Sequence, residues 1–258
     1  MCRCRVIEVE GLTRRDGGRP AIADLTFSVP EGQVVALLGP AGAGKTTAAR
    51  MLAGCLEPSS GRASVGGFDL ARQPREARRQ IGYLPQATAV HRDMRVAGAL
   101  EMTCRLRGVH PRRRPALVGR ALEVCGLGGL RGELIGRLSA GFRRRVGLAQ
   151  AVVHEPAAVI LDEPAAGLDP VQSREVWALL RELGQQGAVV VASRQPAEVL
   201  ASCQRVLLVK EGRIVADDTP AGLRRRLEAR GPGADAGVDP GEPTLHDLFE
   251  ALAGGESP

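Results

Sequence analysis

Residues 39–46 read Gly-Pro-Ala-Gly-Ala-Gly-Lys-Thr, and this short stretch restricts the fold more than any other part of the chain. It follows an apolar, strand-like run at 34–38 and precedes a predicted helix that begins at Lys45. Its glycines carry no Cβ and adopt positive φ angles, so the backbone can wrap around phosphate oxygens. The pattern predicts a strand, a phosphate-binding loop and a helix, and therefore a nucleoside triphosphate site.

Two side chains at the end of this loop carry its predicted chemistry. Lys45 can reach the β and γ phosphates, and Thr46 can offer its hydroxyl to Mg²⁺. The chain uses arginine for its other positive charges, since Lys210 is the only other lysine. The residues that we assign to nucleotide binding in this segment are Gly39, Pro40, Ala41, Gly42, Ala43, Gly44, Lys45, Thr46 and Thr47.

A second candidate site lies at 157–163, where an apolar run ends in Asp162 and Glu163. The end of a buried strand is a costly place for charge. Neighbouring side chains on a strand point to opposite faces, so Asp162 can serve Mg²⁺ while Glu163 faces a water beside the γ phosphate. Alone, the pattern is as typical of a strand that ends in solvated acids; together with the phosphate loop, it favours a hydrolytic site.

The segment Leu138-Ser139-Ala140-Gly141 precedes an amphipathic helix. Ser139 is a good N-cap residue, and that role alone would account for it. The alternative is that this helix start, with its free amides and a small Gly141, receives an anion.

The remaining pattern predicts an α/β fold with a mixed, mostly parallel sheet covered by helices. An N-terminal antiparallel β subdomain comes first, with strands at 6–10 and 25–29 and a strand pair formed by 62–65 and 81–84. Between about 88 and 153 amphipathic helices replace strands, which indicates an inserted α-helical subdomain. Strands and helices then alternate, as in parallel sheets: strands 157–161, 188–192 and 205–209, and helices 171–184, closed by Gly184 or Gly187, and 196–202.

Two parts follow from this organisation. Residues 1–220 form the predicted nucleotide-binding domain, and residues 221–258 form a C-terminal extension. Within the extension, the Gly- and Pro-rich segment 230–243 is expected to be a flexible linker. Residues 244–253 are expected to form a short docking helix, because apolar residues recur there at helical spacing after a Thr244 N-cap.

The net charge of +6 and the pI near 9.4 raise the question of nucleic-acid binding. The arginines come in separate runs at 112–114, 143–145 and 224–226, and the few aromatic residues do not form a base-stacking platform. We therefore predict no nucleic-acid partner and interpret these runs as a solvated face or one near anionic lipid. The start of the chain lacks an apolar signal segment and no apolar run reaches membrane-spanning length, so we expect a cytoplasmic protein.

Taken together, the motifs of residues 5–220 resemble those of the ATP-binding subunits of ABC transporters, which have a P-loop NTPase core. The final residues at 244–249 are similar to the tails of multidrug and related exporter subunits. The resemblance rests on the ordered segments Gly39–Thr47, Tyr83-Leu84-Pro85-Gln86, Leu138-Ser139-Ala140-Gly141, Ile160-Leu161-Asp162-Glu163-Pro164 and Gly167-Leu168-Asp169-Pro170.

The resemblance implies a role for each matching residue. ATP and Mg²⁺ would be bound by the phosphate loop, with Gln86 touching the metal and the attacking water, Asp162 supporting the metal, and Glu163 acting as general base. Two subunits, identical or related, would meet head to tail, so that Ser139 and Gly141 contact the γ phosphate on the other copy and Asp169 communicates between them. The dimer would sit on the inner face of the cell membrane and drive export through separate transmembrane permease subunits.

Three positions depart from the family pattern. Arg194 occupies the place of the switch histidine, and because arginine does not exchange a proton at neutral pH, we expect weak hydrolysis. Asp16 replaces the aromatic residue that stacks on adenine, so an arginine plane from Arg14, Arg15 or Arg19 is expected to stack there instead. Ala140 and Phe142 alter the signature segment mildly, since Ser139 and Gly141 remain; related exporter subunits carry such variation, and the alternative is a dimer with a different, intact partner. Two alternatives remain open: a soluble ABC-type ATPase in translation or DNA repair, and a nucleotide-binding regulator deficient in hydrolysis.

Overall fold

The computed structural model describes residues 5–17 and 19–229, apart from the side chains of Arg19, Leu227 and Ala229. The predicted linker at 230–243 and the predicted docking helix at 244–253 lie outside the described residues. In chain order the elements are β1 (Arg5–Asp16), β2 (Arg19–Pro30), β3 (Gln33–Leu38), α1 (Lys45–Leu52), β4 (Ser60–Val65), β5 (Phe68–Asp69), α2 (Pro74–Arg79), β6 (Ile81–Leu84), α3 (Val96–Leu106), α4 (Arg114–Val124), α5 (Ala140–Val152), β7 (Ala158–Asp162), α6 (Pro170–Gln186), β8 (Ala188–Ser193), α7 (Pro196–Ser202), β9 (Arg205–Lys210), β10 (Arg213–Asp218) and α8 (Pro220–Ala229).

The first sheet is antiparallel, with strand order β2-β1-β4-β5, as the alternating N-terminal pattern predicts. The predicted pairing of residues 62–65 with 81–84 is wrong. After β4 the chain turns at Gly66-Gly67 into the two-residue strand β5, and 81–84 forms β6 in the other sheet. The reason is burial: three of the four residues of β6 are buried, which suits a parallel strand that pairs with β7 and is covered by helices.

The second sheet has the order β10-β9-β3-β8-β7-β6, and only β10 runs antiparallel to its neighbour. Alternate residues of β3 enter two different cores. Val34, Ala36 and Leu38 face the core shared with the helices that follow β6, whereas Val35 and Leu37 face the core shared with the first sheet and α1. The predicted mixed, mostly parallel sheet is therefore confirmed, with a core on each face.

Between residues 88 and 153 the chain forms the helices α3, α4 and α5, as the amphipathic pattern predicts. The predicted helix at 171–184 is longer: α6 continues to Gln186 and ends at Gly187. Gly184 lies inside the helix rather than at its end, and a Cβ there would come within 2.3 Å of the Val34 side chain. This glycine allows helix and sheet to pack closely.

The order of the strands brings distant parts of the sequence to one edge. Strands β3, β8, β7 and β6 are consecutive parallel neighbours, so their carboxyl ends lie side by side. These ends lead into the phosphate loop, Arg194, the Asp162–Glu163 pair and Gln86, respectively. In open α/β sheets this edge is where ligands bind. Among residues 5–17 and 19–229, no helix combines the length and apolar character needed to cross a bilayer.

Candidate active site

The phosphate loop depends on glycine at two positions for steric reasons. Gly44 has a φ of 100°, and a Cβ there would lie 2.5 Å from the carbonyl oxygen of Ala21. A Cβ on Gly39 would lie 2.2 Å from the carbonyl oxygen of Val209. Gly42 also has a positive φ, of 78°, but faces open space. The loop is thus shaped by close packing on both flanks and open in its middle.

Helix α1 begins directly after this loop without a capping side chain. Its N-cap is Gly44, and no acidic residue lies in its first turn. The first amides of a helix lack internal partners and form its positive dipole end. This start is therefore suited to an anion such as a phosphate group.

Lys45 is almost fully buried at this helix start, with 6% of its surface exposed. Its Nζ donates hydrogen bonds to the carbonyl oxygens of Gly39, at 2.7 Å, and Pro40, at 2.8 Å. Burial lowers the pKa of Lys45, while the nearby carboxylates of Glu163 and Asp162 act in the opposite direction. The ammonium group thus lies within the loop and next to the acidic end of β7.

A hairpin turn ties the phosphate loop to the first sheet. The amide of Gly212, between β9 and β10, donates to the carbonyl of Ala43 at 3.0 Å. The carbonyl of Gly212 in turn accepts from the amide of Ala23 in β2 at 2.8 Å. One residue of the hairpin therefore connects the loop with the antiparallel sheet.

Asp162 is the last residue of β7 and is 1% exposed. Neither of its carboxylate oxygens has a well-formed hydrogen bond among the described residues, although the Thr46 hydroxyl lies close enough to stabilise the carboxylate. Burial raises the pKa of Asp162, and the Thr46 hydroxyl and the Lys45 ammonium oppose that rise. A buried carboxylate without partners is costly. Hard cations such as Mg²⁺ bind carboxylate and hydroxyl oxygens, so Asp162 and Thr46 fit a magnesium site.

Glu163 follows the strand in a left-handed backbone conformation, with a φ of 49°. Strand alternation therefore stops before this residue, and the expectation of opposite faces does not apply; both carboxylates influence Lys45. Glu163 Oε1 accepts a hydrogen bond from Arg194 Nε at 3.0 Å. The Glu163 side chain is 8% exposed and that of Arg194 is 51% exposed, so the ion pair bridges the interior and the surface of the site.

The other predicted site residues lie on the surface around this centre. The side chain of Gln86 is exposed after β6. Ser139 caps α5 by accepting from the amide of Phe142 at 3.3 Å, and Asp169 caps α6 by accepting from the amides of Val171 and Gln172 at 2.9 Å. Gly141 is buried against the Gln172 side chain.

The structure thus divides the predicted site residues into two groups. The phosphate loop, Asp162, Glu163 and Arg194 come together at one sheet edge. Ser139, Gly141 and Asp169 make no hydrogen bond to the phosphate loop within the described part of the chain. Their predicted contact with a nucleotide on another copy stays a prediction.

Arg144 is a residue of the site that sequence reasoning missed. The interpretation of the run 143–145 as a solvated face or one near anionic lipid is wrong at this position, because Arg144 is only 4% exposed. It hydrogen-bonds to the residues that lead from β6 and β7 into the site. A signal was present, since Gly141, Leu148 and Ala151 share its buried face of α5 at helical spacing.

At the position predicted to meet the base, Asp16 pairs with Arg14 Nε at 2.9 Å. Arg14 Nη1 also donates to the carbonyl of Glu57 at 3.0 Å, so its guanidinium is held from two sides. Arg15 is exposed, and the side chain of Arg19 lies outside the described residues. Stacking of an arginine on the base remains a prediction.

The chain is similar to known proteins in both sequence and structure. A family model described as ABC transporter matches residues 22–166. The probable multidrug ABC transporter ATP-binding protein YbhF of Escherichia coli (strain K12) is 38% identical over 87% of this chain, which spans only 39% of that protein's length. The daunorubicin resistance ATP-binding protein DrrA2 of Streptomyces coeruleorubidus is 40% identical, covering 84% of this chain and 68% of its own length.

Two solved structures share the fold along most of the chain. An ATP-binding subunit of an ABC transporter superposes with a TM-score of 0.81 at 25% identity, over 96% of this chain and 99% of that chain. The cbiO1 protein from Clostridium perfringens, part of the ABC transporter complex cbiONQ, gives a TM-score of 0.76 at 28% identity, over 88% of this chain and 96% of that one. The predicted P-loop NTPase architecture is therefore confirmed.

Proposed function

This chain belongs to the ATP-binding family of ABC transporters, and from that premise we propose that it binds ATP with Mg²⁺ and hydrolyses it to drive export through separate transmembrane permease subunits. The observation that carries the proposal is the buried carboxylate of Asp162, which lies beside the phosphate loop without a well-formed hydrogen bond among the described residues. Such a group is accounted for by a cation that the site receives together with a triphosphate.

The proposed binding step uses groups that are already in place. The loop amides at the start of α1 and the Lys45 ammonium bind the phosphates. Thr46, Asp162 and Gln86 would hold Mg²⁺, which when bound neutralises phosphate charge and orients the phosphates for attack. Asp162 contributes its two free oxygens without breaking any described hydrogen bond.

In the proposed chemical step, Glu163 accepts the proton of the attacking water at its carboxylate. Arg194 holds Glu163 through the Nε–Oε1 hydrogen bond. Because a guanidinium stays charged at neutral pH, it cannot pass on a proton. We therefore propose that turnover is slow relative to binding.

The proposed assembly is a head-to-tail dimer with an identical or related copy, on the inner face of the membrane. The exposed positions of Ser139 and Asp169 at helix starts support contact with a nucleotide on the other copy. The altered residues Ala140 and Phe142 favour a related, unequal partner. Export is supported by the names of the relatives, which denote multidrug, daunorubicin resistance and, for the Burkholderia lata protein at 34% identity, Nod factor export subunits.

A second function is favoured by one observation. The Arg194–Glu163 ion pair engages the residue that would act as general base, as expected of a nucleotide-binding regulator that does not hydrolyse ATP. Single-turnover ATPase assays separate the two: release of phosphate supports the transporter subunit, and bound but uncleaved ATP supports the regulator. Co-purification with membranes separates the transporter subunit from a soluble ABC-type ATPase in translation or DNA repair.

Calorimetry of the Glu163→Gln protein with ATP tests the proposal directly, because this variant is expected to retain ATP uncleaved. We expect nucleotide uptake that depends on Mg²⁺, and ATP-dependent dimers in size-exclusion chromatography. The control is Lys45→Ala, which should lose uptake while keeping the fold. Absence of Mg²⁺-dependent uptake by Glu163→Gln would contradict the proposed function.

A further inference from the structure

Arg144 is a buried arginine without an acidic partner among the described residues, and it lies behind the catalytic centre rather than in it. We infer that Arg144 is a positioning residue. It fixes the segment 85–88 after β6, which contains Gln86, against the acidic end of β7, and so sets the geometry of the proposed magnesium site. The inference rests on the proposed function, because it concerns the same site.

The guanidinium uses all three of its nitrogens. Nε donates to the carbonyl of Pro164 at 3.0 Å, and Nη2 donates to the carbonyls of Asp162 and Glu163 at 2.8 and 2.6 Å. Nη1 donates to the carbonyls of Pro85 and Gln86 at 3.0 and 2.8 Å and to Thr88 Oγ1 at 2.8 Å.

Five of these six acceptors are main-chain carbonyls, and this distinguishes Arg144 from an ordinary ion-pair partner. Arg144 holds the backbone of Gln86, Asp162 and Glu163 and makes no hydrogen bond to their side chains. The carboxylate of Asp162 stays free for a cation. The contact therefore positions the predicted metal ligands without occupying them.

Only an arginine can make this set of contacts. Its guanidinium is a planar fork with five N–H donors, whereas a lysine ammonium has three donors at one point. The two sets of carbonyl groups that it spans lie just after β6 and at the end of β7, which are neighbouring strands. Lysine could reach one of these segments, but it could not hold both at a fixed separation.

Arg144 also connects this pair of segments to a third element. It projects from α5, the helix that begins at the Ser139 cap. A movement of α5 would therefore act on the Gln86 segment and on the end of β7 at the same time. The predicted metal ligands Gln86 and Asp162 therefore shift together with α5 rather than separately from it.

The test compares Arg144→Gln and Arg144→Lys with the wild type in the full-length protein. ATP binding in EDTA should change less than about twofold, since Lys45 and the loop do not contact Arg144. With ATP bound, the Mn²⁺ concentration needed for half-saturation should rise about tenfold, as measured by electron paramagnetic resonance. The kcat should fall about 10- to 100-fold with little change in KM, as expected when the metal ligands and the general base are displaced from their productive geometry. Arg144→Lys should recover part of both.

The matched control is Arg205→Gln. Arg205 is another largely buried arginine that joins separate segments, through Ser28 and Asp217, but it lies away from the site. Its replacement should lower thermal stability while leaving the Mn²⁺ titration unchanged. Hydrogen exchange adds a readout that does not need activity: amides in 85–88 and 162–165 should exchange faster in the Arg144 variants, and those in 33–38 should not.

Several results would overturn the inference. Unchanged Mn²⁺ binding and unchanged kcat in both Arg144 variants would do so. The same conclusion would follow if Arg205→Gln, at the same thermal stability as the Arg144 variants, lost as much Mn²⁺ affinity and kcat as they do. If Arg144→Gln does not fold, Arg144→Lys decides by the same two readouts. Failure of the proposed function is distinguishable, since it would appear as absent ATP binding in the wild type.

Discussion

The phosphate loop and the acidic end of β7 lie at the same edge of one sheet, yet they are built in different ways. The loop is one continuous segment, and Lys45 donates hydrogen bonds to the main-chain carbonyls five and six residues before it. The acidic end depends on residues far away in the sequence: Arg144 lies 18 residues before Asp162, and Arg194 lies 31 residues after Glu163.

This difference separates the two parts of the proposed activity. The groups that bind phosphate come from one segment, so we expect binding to survive substitutions at the acidic end of β7. Cleavage depends on how several segments are held together, and Arg194, a departure from the family pattern, lies on that side. The following experiments test whether binding and cleavage separate in this way.

Glu163→Gln should produce the largest effect. Removing a general base typically slows a reaction by about 10²–10⁴-fold, while ATP affinity should remain unchanged because the loop is intact. The control is Glu155→Gln. Like Glu163, Glu155 has a left-handed backbone conformation, with a φ of 52°, and forms ion pairs with arginines, here Arg113 and Arg120. An equal loss of phosphate release in both variants would contradict the assignment of cleavage to Glu163, and with it the separation of cleavage from binding.

Gly44→Ala tests the local side of the comparison. Its φ and the nearby Ala21 carbonyl make a Cβ unfavourable, so we expect a loss of roughly 1–3 kcal/mol in the free energy of unfolding and weaker ATP binding. Gly42→Ala, with open space around it, should cost less, about 1–2 kcal/mol, because only its positive φ is unfavourable. Denaturant titration and calorimetry measure both quantities. If Gly42→Ala were the more damaging, the steric account of the loop would be wrong.

Arg194→His should raise the rate of ATP hydrolysis about 3- to 10-fold, because imidazole exchanges protons near neutral pH. ATP affinity should change little. Arg194→Lys serves as the control: it keeps the positive charge and should give no increase. A rate for Arg194→His equal to or below the wild type would remove Arg194 as the cause of slow turnover.

The smallest effect is expected at the base. An arginine stacked on a ring contributes about 0.5–1 kcal/mol at an exposed site, so Arg15→Ala should weaken ATP binding about two- to fivefold. Arg14→Ala should have less effect, because Asp16 and the Glu57 carbonyl already hold that guanidinium. Titration of each variant, including Arg19→Ala, with ATP and GTP measures base selectivity. No change in any of the three would exclude arginine stacking.

The sequence predicted the elements whose signal is local and strong. The loop, β3, β7 and β8 follow from apolar runs and from glycine chemistry at fixed spacing. Short or peripheral elements were missed. β5 has two residues and α2 has six, too few for a period to show, and the edge strand β10 buries none of its residues fully.

Residue contacts across the sheet were harder to predict than the elements. No sequence pattern shows that Glu163 leaves the strand with a positive φ or that Arg194 reaches it. Arg144 was hidden within three consecutive arginines, since its burial depends on the segments that close over α5. Charge runs are usually solvated, and that general rule fails where carbonyl groups from two strands converge.

The hydrogen bonds of Gly212 limit how this protein can be engineered. A tight turn between two terminal strands would ordinarily be a natural place to insert a reporter domain or to open the chain for circular permutation. Here such an insertion would disconnect the phosphate loop from the antiparallel sheet. Fluorescent sensors of nucleotide occupancy are better placed in the solvent-exposed turn at residues 71–73, and any sequence spliced between β9 and β10 should abolish the response it was meant to report.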